Sequence, residues 1–222
     1  LASGSKYYGV MLPYTPLHYL LFQENLKVLV ATSGNLSGNP LEYKNESALI
    51  KLKNIADYFL LHNRKIYIPI DDSVGRIMRN EIRITRRARG YVPSPIFLKG
   101  LQEGLALGAE QKNTIGIAKG EYVFLSQHLG DLKSRDTFDN FKYIIKHFKR
   151  LYKLKPTYIA HDLHPDYQST HYAREITQKE NMKTINKLEK PAIKKIAIQH
   201  HHAHIVSCMA ENKVNKRVIG LG

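Results

Sequence analysis

The clearest alternation of apolar and polar positions lies at residues 138–152. Phe141, Ile144 and Phe148 recur three and four positions apart, with lysines between them. Residues at these intervals share one face of a helix, so the spacing predicts an amphipathic helix with one buried side. We expect Asp136 to cap the start of this helix, because a short acidic side chain accepts backbone hydrogen bonds there.

Short apolar runs on both sides of this helix predict strands, at residues 105–109, 114–118, 121–125, 158–160, 195–199 and 218–222. A Lys-Gly pair at 119–120 joins two of them as a hairpin. A polar helix from about Thr170 and a histidine-rich helix from about His200 complete the order β-β-β-α-β-α-β-α-β. This order is typical of an α/β fold, the ribonuclease-H-like half of an actin-like ATPase.

The pattern up to residue 95 predicts another α/β region. Thr15 followed by a proline, and Asn45, mark the starts of two short helices. Two isoleucines that alternate with polar residues predict a hairpin over residues 74–87. We also expect strands at the apolar runs 27–32, 58–61 and 66–70. The prolines near residue 95 mark the boundary between the two regions.

Composition narrows the class of protein. The 222 residues are 43% hydrophobic, enough for globular domains, and carry a net charge of +15. A basic chain suits nucleic acid or polyphosphate ligands, but the charge is spread over both regions, which favours solvated surfaces. The sequence contains no apolar run long enough to span a membrane. Cys208 is the single cysteine, so disulfides within the chain are excluded and we expect a cytoplasmic protein.

Four histidines lie within residues 200–204. If this segment is helical, His200 and His204 stand one turn apart on the same face and can bind one metal ion through neutral ring nitrogens. Two ligands are fewer than a stable site needs, so a solvated, metal-free histidine turn is the alternative. Cys208 shares a helical register with Ile205, and we expect it to be buried and inert.

Three features of the first region suit a nucleotide. They are the Ser/Gly/Asn loop at residues 32–40, Ser73, and the arginine cluster at residues 86–89. Glycines let the backbone approach phosphate oxygens, hydroxyls and amides donate to them, and arginines neutralise their charge. Each feature alone is more often an ordinary turn or a solvated basic edge.

Several segments, taken in chain order, resemble the HypF family of NiFe-hydrogenase maturation carbamoyltransferases. The most specific are TSGNLSG at 32–38, RRARGYVP at 86–93, SQHLGDL at 126–132, AHDLHPDY at 160–167 and QHHHAH at 199–204. Shorter matches lie at residues 9–18, 71–74 and 108–110. The resemblance covers nearly the whole chain.

The resemblance implies the fold of each region. Residues 1–95 are similar to the C-terminal part of a YrdC-like domain, which would contribute part of a twisted α/β sheet and form carbamoyl adenylate. Residues 96–222 are similar to the N-terminal half of an actin-like ATPase domain that transfers the carbamoyl group. The family's acylphosphatase domain, zinc-finger segment and Asp-Gly-Thr-Gly motif have no counterpart in the sequence. We therefore expect these residues to be inactive by themselves.

The resemblance also implies a reaction and its partners. Carbamate derived from carbamoyl phosphate would be condensed with ATP, in the presence of Mg²⁺, to give carbamoyl adenylate and pyrophosphate. The carbamoyl group would then pass to the C-terminal cysteine of HypE, as the precursor of cyanide ligands. The implied enzyme is a cytoplasmic, ATP-binding carbamoyltransferase with no membrane partner.

The resemblance also implies roles for the residues that match positions in the family's motifs. The residues that would hold nucleotide phosphates in the first region are Ser33, Asn35, Ser73 and Arg87. His200 and His204 match the family's metal-binding pair, for which zinc or iron is the expected ion, and His164 and Asp166 match a loop that lines the same site. A further acidic ligand would be expected beyond Gly222, so we predict weak or no metal binding by the 222 residues. Residues 67–70 depart from the family, since a polar segment with an arginine is expected there.

Two alternatives belong to other functional classes. Relatives of both domain types make threonylcarbamoyladenosine in tRNA, and a basic chain suits RNA. The arginine and histidine motifs resemble the hydrogenase branch instead, so we do not expect a nucleic-acid partner. The other alternative is a non-catalytic interaction module, in which the arginines dock an acidic partner and the histidines form a structural turn.

Overall fold

The computed structural model describes residues 4–23, 26–185 and 191–221. The chain forms two compact units, Leu1–Ser33 and Gly34–Gly222. The first unit contains the predicted short helix, α1 (Pro16–Leu21). The hydroxyl oxygen of Thr15 accepts a hydrogen bond from the backbone N–H of His18 at 3.2 Å and so caps the helix. Proline suits the first helical position because it has no N–H to leave unpaired.

The predicted strand at residues 27–32 is wrong. This segment has no regular structure, and Val28 and Val30 are 79% and 75% exposed. An apolar β-branched run becomes a strand only where a neighbouring strand accepts its backbone hydrogen bonds. No strand in the described part of the chain pairs with it. The strands predicted at residues 58–61 and 66–70 are absent for the same reason.

The helix and the hairpin predicted for the rest of the first region are confirmed. Helix α2 (Asn45–Lys51) begins at the predicted asparagine. Strands β1 (Val74–Met78) and β2 (Glu81–Arg86) pair antiparallel. Arg79 and Asn80 form the turn with φ values of 53° and 60°, the left-handed conformation that a two-residue hairpin turn requires.

The second region is built on a six-stranded sheet of order β3-β6-β5-β4-β7-β8. Its strands are β3 (Ile96–Phe97), β4 (Gly104–Ala106), β5 (Gly116–Lys119), β6 (Tyr122–Leu125), β7 (Tyr158–Asp162) and β8 (Lys194–Ile198). Strands β4, β7 and β8 are mutually parallel, and the other pairs are antiparallel. The helices are α3 (Arg135–Leu151), α4 (Gln168–Ile185) and α5 (His200–Glu211).

The predicted order of elements is therefore confirmed from β4 to α5, and the chain has the predicted mixed α/β fold. Strand β3 was not predicted, because two residues carry no periodic signal. The final strand predicted at residues 218–222 is absent at the described residues 218–221. Helix α3 is capped by Ser134, whose hydroxyl accepts from the N–H of Thr137 at 3.4 Å, rather than by Asp136. Asp136 lies in the first turn, where its charge complements the helix dipole.

The core lies between α3 and the sheet. Phe141 and Ile144 are fully buried in one cluster with Ile117 and Ile159. This is the apolar face that the spacing at residues 138–152 predicts. Each such side chain contributes about 1.5–3 kcal/mol when it is removed from water. None of the helices in the described ranges is long and apolar enough to cross a membrane.

Gly108, in the loop after β4, cannot be replaced without strain. Its φ is +66°, and a Cβ there would lie 2.4 Å from the carbonyl oxygen of Thr114. We expect Gly108→Ala to lower the free energy of unfolding through both the left-handed backbone strain and this clash. The clash should add about 1–3 kcal/mol to the strain, because the atom it meets belongs to the backbone and cannot move aside easily. Urea unfolding measures this difference.

Gly120→Ala is the matched control. Gly120 also has a positive φ, +59°, but a Cβ there would have open space around it. It should therefore show only the conformational cost of roughly 1–2 kcal/mol. Equal losses of stability in the two variants would contradict the predicted clash.

Candidate functional site

A cleft lies at the carboxyl ends of the parallel strands. Asp162 ends β7, and α5 begins two residues after β8 ends at Ile198. Open α/β sheets bind ligands at this edge because the strands point their last residues and following loops there. The cleft has a volume of about 330 Å³ and is lined on one side by the loop after β4 and on the other by α5.

Asp162 organises the polar part of this cleft. Its side chain is 6% exposed. Its Oδ2 lies 2.6 Å from Nδ1 of His200, and its Oδ1 accepts from the backbone N–H of His164 at 2.9 Å. A carboxylate only accepts, so the Nδ1 of His200 carries a proton, and in the neutral ring the Nε2 presents a lone pair.

His204 completes a pair with His200. Their Nε2 atoms lie 3.1 Å apart, and their ring centroids are 4.7 Å apart. Two nitrogen ligands at about 2.0–2.1 Å from one zinc ion, at an angle of roughly 95–100°, would be separated by the same distance. The pair therefore fits a divalent cation as two of its ligands. Within the described residues, no third histidine, cysteine or acidic side chain completes such a group.

The local sequence explains why the two histidines face the cleft. Gln199 caps α5, and its Oε1 accepts from the N–H of His202 at 2.8 Å. The helix therefore begins at His200, which places His204 one turn later on the same face. The predicted placement of this pair on one helical face is confirmed.

The expectation that Cys208 is buried is wrong. Cys208 is exposed rather than buried, and the helix contains no fully buried residue. The helical register of Cys208 with Ile205 identifies a shared face. It does not show whether anything covers that face, and no described element buries it.

The loop after β7 contains His164 and Asp166. The His164 ring stacks on Tyr167 with centroids 4.2 Å apart, and its Nδ1 accepts from the backbone N–H of Asp166 at 3.2 Å. Both predicted residues are exposed and lie outside the set that lines the cleft. Asp162 links His164 to the histidine pair. The sequence interpretation missed Asp162 as a site residue, although an acid at the end of a strand and before a polar loop was the available signal.

The opposite wall of the cleft is held by Asn113, which is 2% exposed. Its side-chain N–H groups donate to the carbonyl oxygens of Leu107 at 2.8 Å and Ala109 at 2.6 Å. These bonds fix the loop between β4 and β5. Lys112 lies next to Asn113 with a φ of 48° and adds a positive charge to the cleft lining.

Ser73 closes the arginine-rich turn that follows β2. Its hydroxyl donates to the carbonyl oxygen of Arg89 and accepts from the N–H of Ala88, both at 2.8 Å. Arg89 in turn contacts Asp72 at 3.0 Å. The single hydroxyl hydrogen of Ser73 is therefore already used, and donation to a phosphate would require it to leave Arg89.

The other first-region candidates lie in different settings. Arg87 pairs with Glu211, at 2.6 Å between Nη2 and Oε1. The amide N–H groups of Asn35 donate to the carbonyl oxygens of Leu36 and Asn39 at 2.9 and 3.0 Å. Ser33 is the exposed last residue of the first unit. Asn35, Ser73 and Arg87 are not among the residues that line the histidine cleft.

Comparison with known proteins assigns the chain to a family. A family model described as "HypF Kae1-like domain" matches residues 99–211, and the Sua5/YciO/YrdC model, described as "Telomere recombination", matches residues 1–88. The chain belongs to the HypF family. A carbamoyltransferase HypF from Synechocystis sp. is 46% identical over the whole chain, which spans 27% of that relative.

Two solved structures of the family resemble the fold. The crystal structure of full-length HypF in the phosphate- and nucleotide-bound form is 46% identical, with a TM-score of 0.83 over 96% of this chain and 32% of that one. The structure of HypF from T. kodakarensis is 40% identical, with a TM-score of 0.79 over 93% of this chain and 26% of that one. The chain therefore corresponds to about a quarter to a third of these family members.

The contact between Asp162 and His200 makes a testable prediction. Asp162→Ala removes the acceptor that holds the proton on Nδ1 of His200, so neutral His200 should shift towards the Nε2–H tautomer that is intrinsically favoured in water. Nitrogen-15 NMR of the histidine rings would measure the tautomer ratio. Asp166→Ala, in the same loop, should leave the ratio of His200 unchanged. An unchanged ratio in Asp162→Ala would contradict the assigned hydrogen bond.

His128 makes a pH-dependent prediction. Burial, and next the charge of Arg86, lower the pKa of this half-buried imidazole below its ordinary value. The folded state therefore resists protonation more than the unfolded state, and stability falls as the pH decreases through about 6.5. Urea unfolding between pH 7.5 and 5 should show a smaller loss of stability in His128→Gln than in the unsubstituted chain. Parallel pH profiles would contradict this prediction.

Proposed function

We propose that the chain forms part of an ATP-dependent carbamoyltransferase of NiFe-hydrogenase maturation. The first region takes part in the activation of carbamate, derived from carbamoyl phosphate, and the second in transfer to the C-terminal cysteine of HypE for cyanide ligand synthesis. The observation that supports this proposal is the Asp162–His200–His204 arrangement at the carboxyl edge of the sheet, in a chain of the HypF family. A cytoplasmic location is part of the proposal.

The chemistry of activation requires charge neutralisation in the first region. A carbamate oxygen attacks the α-phosphorus of Mg²⁺-bound ATP, a new P–O bond forms, and the bond to pyrophosphate breaks. Arg87 is the first-region candidate with a guanidinium group, whose fixed fork suits phosphate oxygens. The hydrogen bonds of the Ser73 hydroxyl to the backbone of Ala88 and Arg89 hold the turn that contains Arg87.

The second region would transfer the activated group. The cysteine sulfur attacks the carbamoyl carbon, and the C–O bond to AMP breaks. His200 and His204 would hold a divalent cation, zinc or iron, which supplies positive charge for phosphate oxygens. Asp162 keeps the Nε2 lone pair of His200 available for that role, and the fixed loop around Asn113 places Lys112 on the opposite wall.

The proposal predicts separate effects on the two steps. The chain would replace the matched segment of the Synechocystis relative, and carbamoyl-phosphate-dependent ATP–pyrophosphate exchange would be measured. Arg87→Ala should reduce exchange roughly tenfold or more, the effect of losing a charge-assisted hydrogen bond of about 1.5–3 kcal/mol. Ser73→Ala should also reduce exchange. His200→Ala should leave exchange nearly unchanged but abolish transfer to HypE.

Arg83→Ala is the matched control for Arg87→Ala. Arg83 also reaches the end of α5, through a 2.7 Å hydrogen bond to Asn212, but the proposal gives it no contact with nucleotide. Exchange that survives both Arg87→Ala and Ser73→Ala would refute the assignment of adenylate formation to the first region. Loss of exchange in His200→Ala would show that activation depends on the histidine cleft, which contradicts its assignment to the first region.

A further inference from the structure

The C-terminal end of α5 contacts the arginine-rich segment of the first region. Glu211 is the last residue of the helix, and its Oε1 lies 2.6 Å from Nη2 of Arg87. The next residue, Asn212, accepts from Arg83 at 2.7 Å. Cations at this end of a helix also interact favourably with the negative end of its dipole. Two arginines four positions apart therefore hold the same helix end.

The ion pair restrains Arg87 without using all of its donors. The Arg87 side chain is 20% exposed and that of Glu211 is 41% exposed, so the pair is partly shielded from water. A guanidinium has five N–H donors, and the contact with Glu211 is made by Nη2. The hydrogens on Nε and Nη1 point in other directions and can donate to a second acceptor. The carboxylate thus fixes the direction of the fork.

We propose that Glu211 is a positioning residue for Arg87, which it holds in the orientation that receives a nucleotide phosphate. The inference rests on the proposed function in one respect, namely that Arg87 contacts the nucleotide. A long, flexible side chain loses conformational freedom when it binds a ligand. Glu211 imposes that restriction before the nucleotide arrives, so binding loses less entropy. A residue of α5 thereby contributes to nucleotide binding by the first region.

Binding of Mg²⁺-ATP to the 222-residue chain, measured by isothermal titration calorimetry, tests this role. Glu211→Ala should raise the dissociation constant about two- to tenfold, the range expected when one side chain must be ordered on binding. Glu211→Gln keeps an acceptor oxygen and should stay within about twofold of the unsubstituted chain. In the Arg87→Ala background, Glu211→Ala should have no further effect, because the residue it positions is gone.

Asp139→Ala is the control for loss of a surface ion pair, since Asp139 pairs with Lys142 on α3 at 2.6 Å. It should leave ATP binding unchanged. If Arg87→Ala weakens binding and Glu211→Ala does not, or if Glu211→Ala tightens it, the positioning role is refuted while the proposed function stands. If the unsubstituted chain does not bind ATP, or Arg87→Ala binds it normally, the nucleotide contact of Arg87 in the proposed function and the positioning role of Glu211 are both overturned.

Discussion

The backbone hydrogen bonds between β4, β7 and β8 determine where the residues around the histidine cleft lie. Ala160 of β7 is paired with Ala106 of β4 on one side and Ile196 of β8 on the other. The N–H of Leu163 continues this pairing past the strand end by donating to Ile198 at 2.8 Å. A shift of one residue would turn Asp162 to the other face of the sheet. The contact of Asp162 with His200 depends on this register.

Burial of the Asp162 carboxylate has a consequence for the whole cleft. A buried charge is costly unless it is paired and hydrogen-bonded. Both carboxylate oxygens have partners, the ring of His200 and the N–H of His164. The same two contacts orient one histidine of the pair and anchor the loop after β7. The hydrogen bonds that stabilise the buried carboxylate are therefore the same ones that orient the site.

Polar contacts join residues 34–95 to the second region, in addition to the packing of Ile68 against its core. Lys51 contacts both Glu42 and Asp136 at 2.8 Å, and hydrogen bonds to these two carboxylates raise its pKa. Gln127 donates to the carbonyl oxygen of Pro69 at 3.2 Å, and Arg87 pairs with Glu211. Exposed ion pairs contribute little to stability but have defined directions. Their value here lies in orientation, as the pair at the end of α5 illustrates.

Local patterns in the sequence were sufficient for elements whose partners are close in the chain. The face of α3, the hairpin of β1 and β2, and the placement of His200 and His204 one turn apart follow from spacing alone, because these depend on residues a few positions apart. The Ser-Gly-Asn loop and the arginine cluster likewise marked polar turns. Asn35 donates to carbonyl oxygens of its own loop, whereas the arginine cluster contacts Asp72, Ser73 and Glu211.

Only the tertiary structure decided which apolar segments are covered and which polar groups meet. Residues 27–32 resemble a buried strand, yet Val28 and Val30 are exposed, because a strand also needs a neighbour that no local pattern supplies. Cys208 is exposed for a similar reason. Asp162 and His200 are 38 positions apart, and Arg87 and Glu211 are 124 apart. The sequence by itself determined the helical faces and the candidate side chains, whereas strand pairing and packing determined their partners, since those contacts arise only when distant segments fold together.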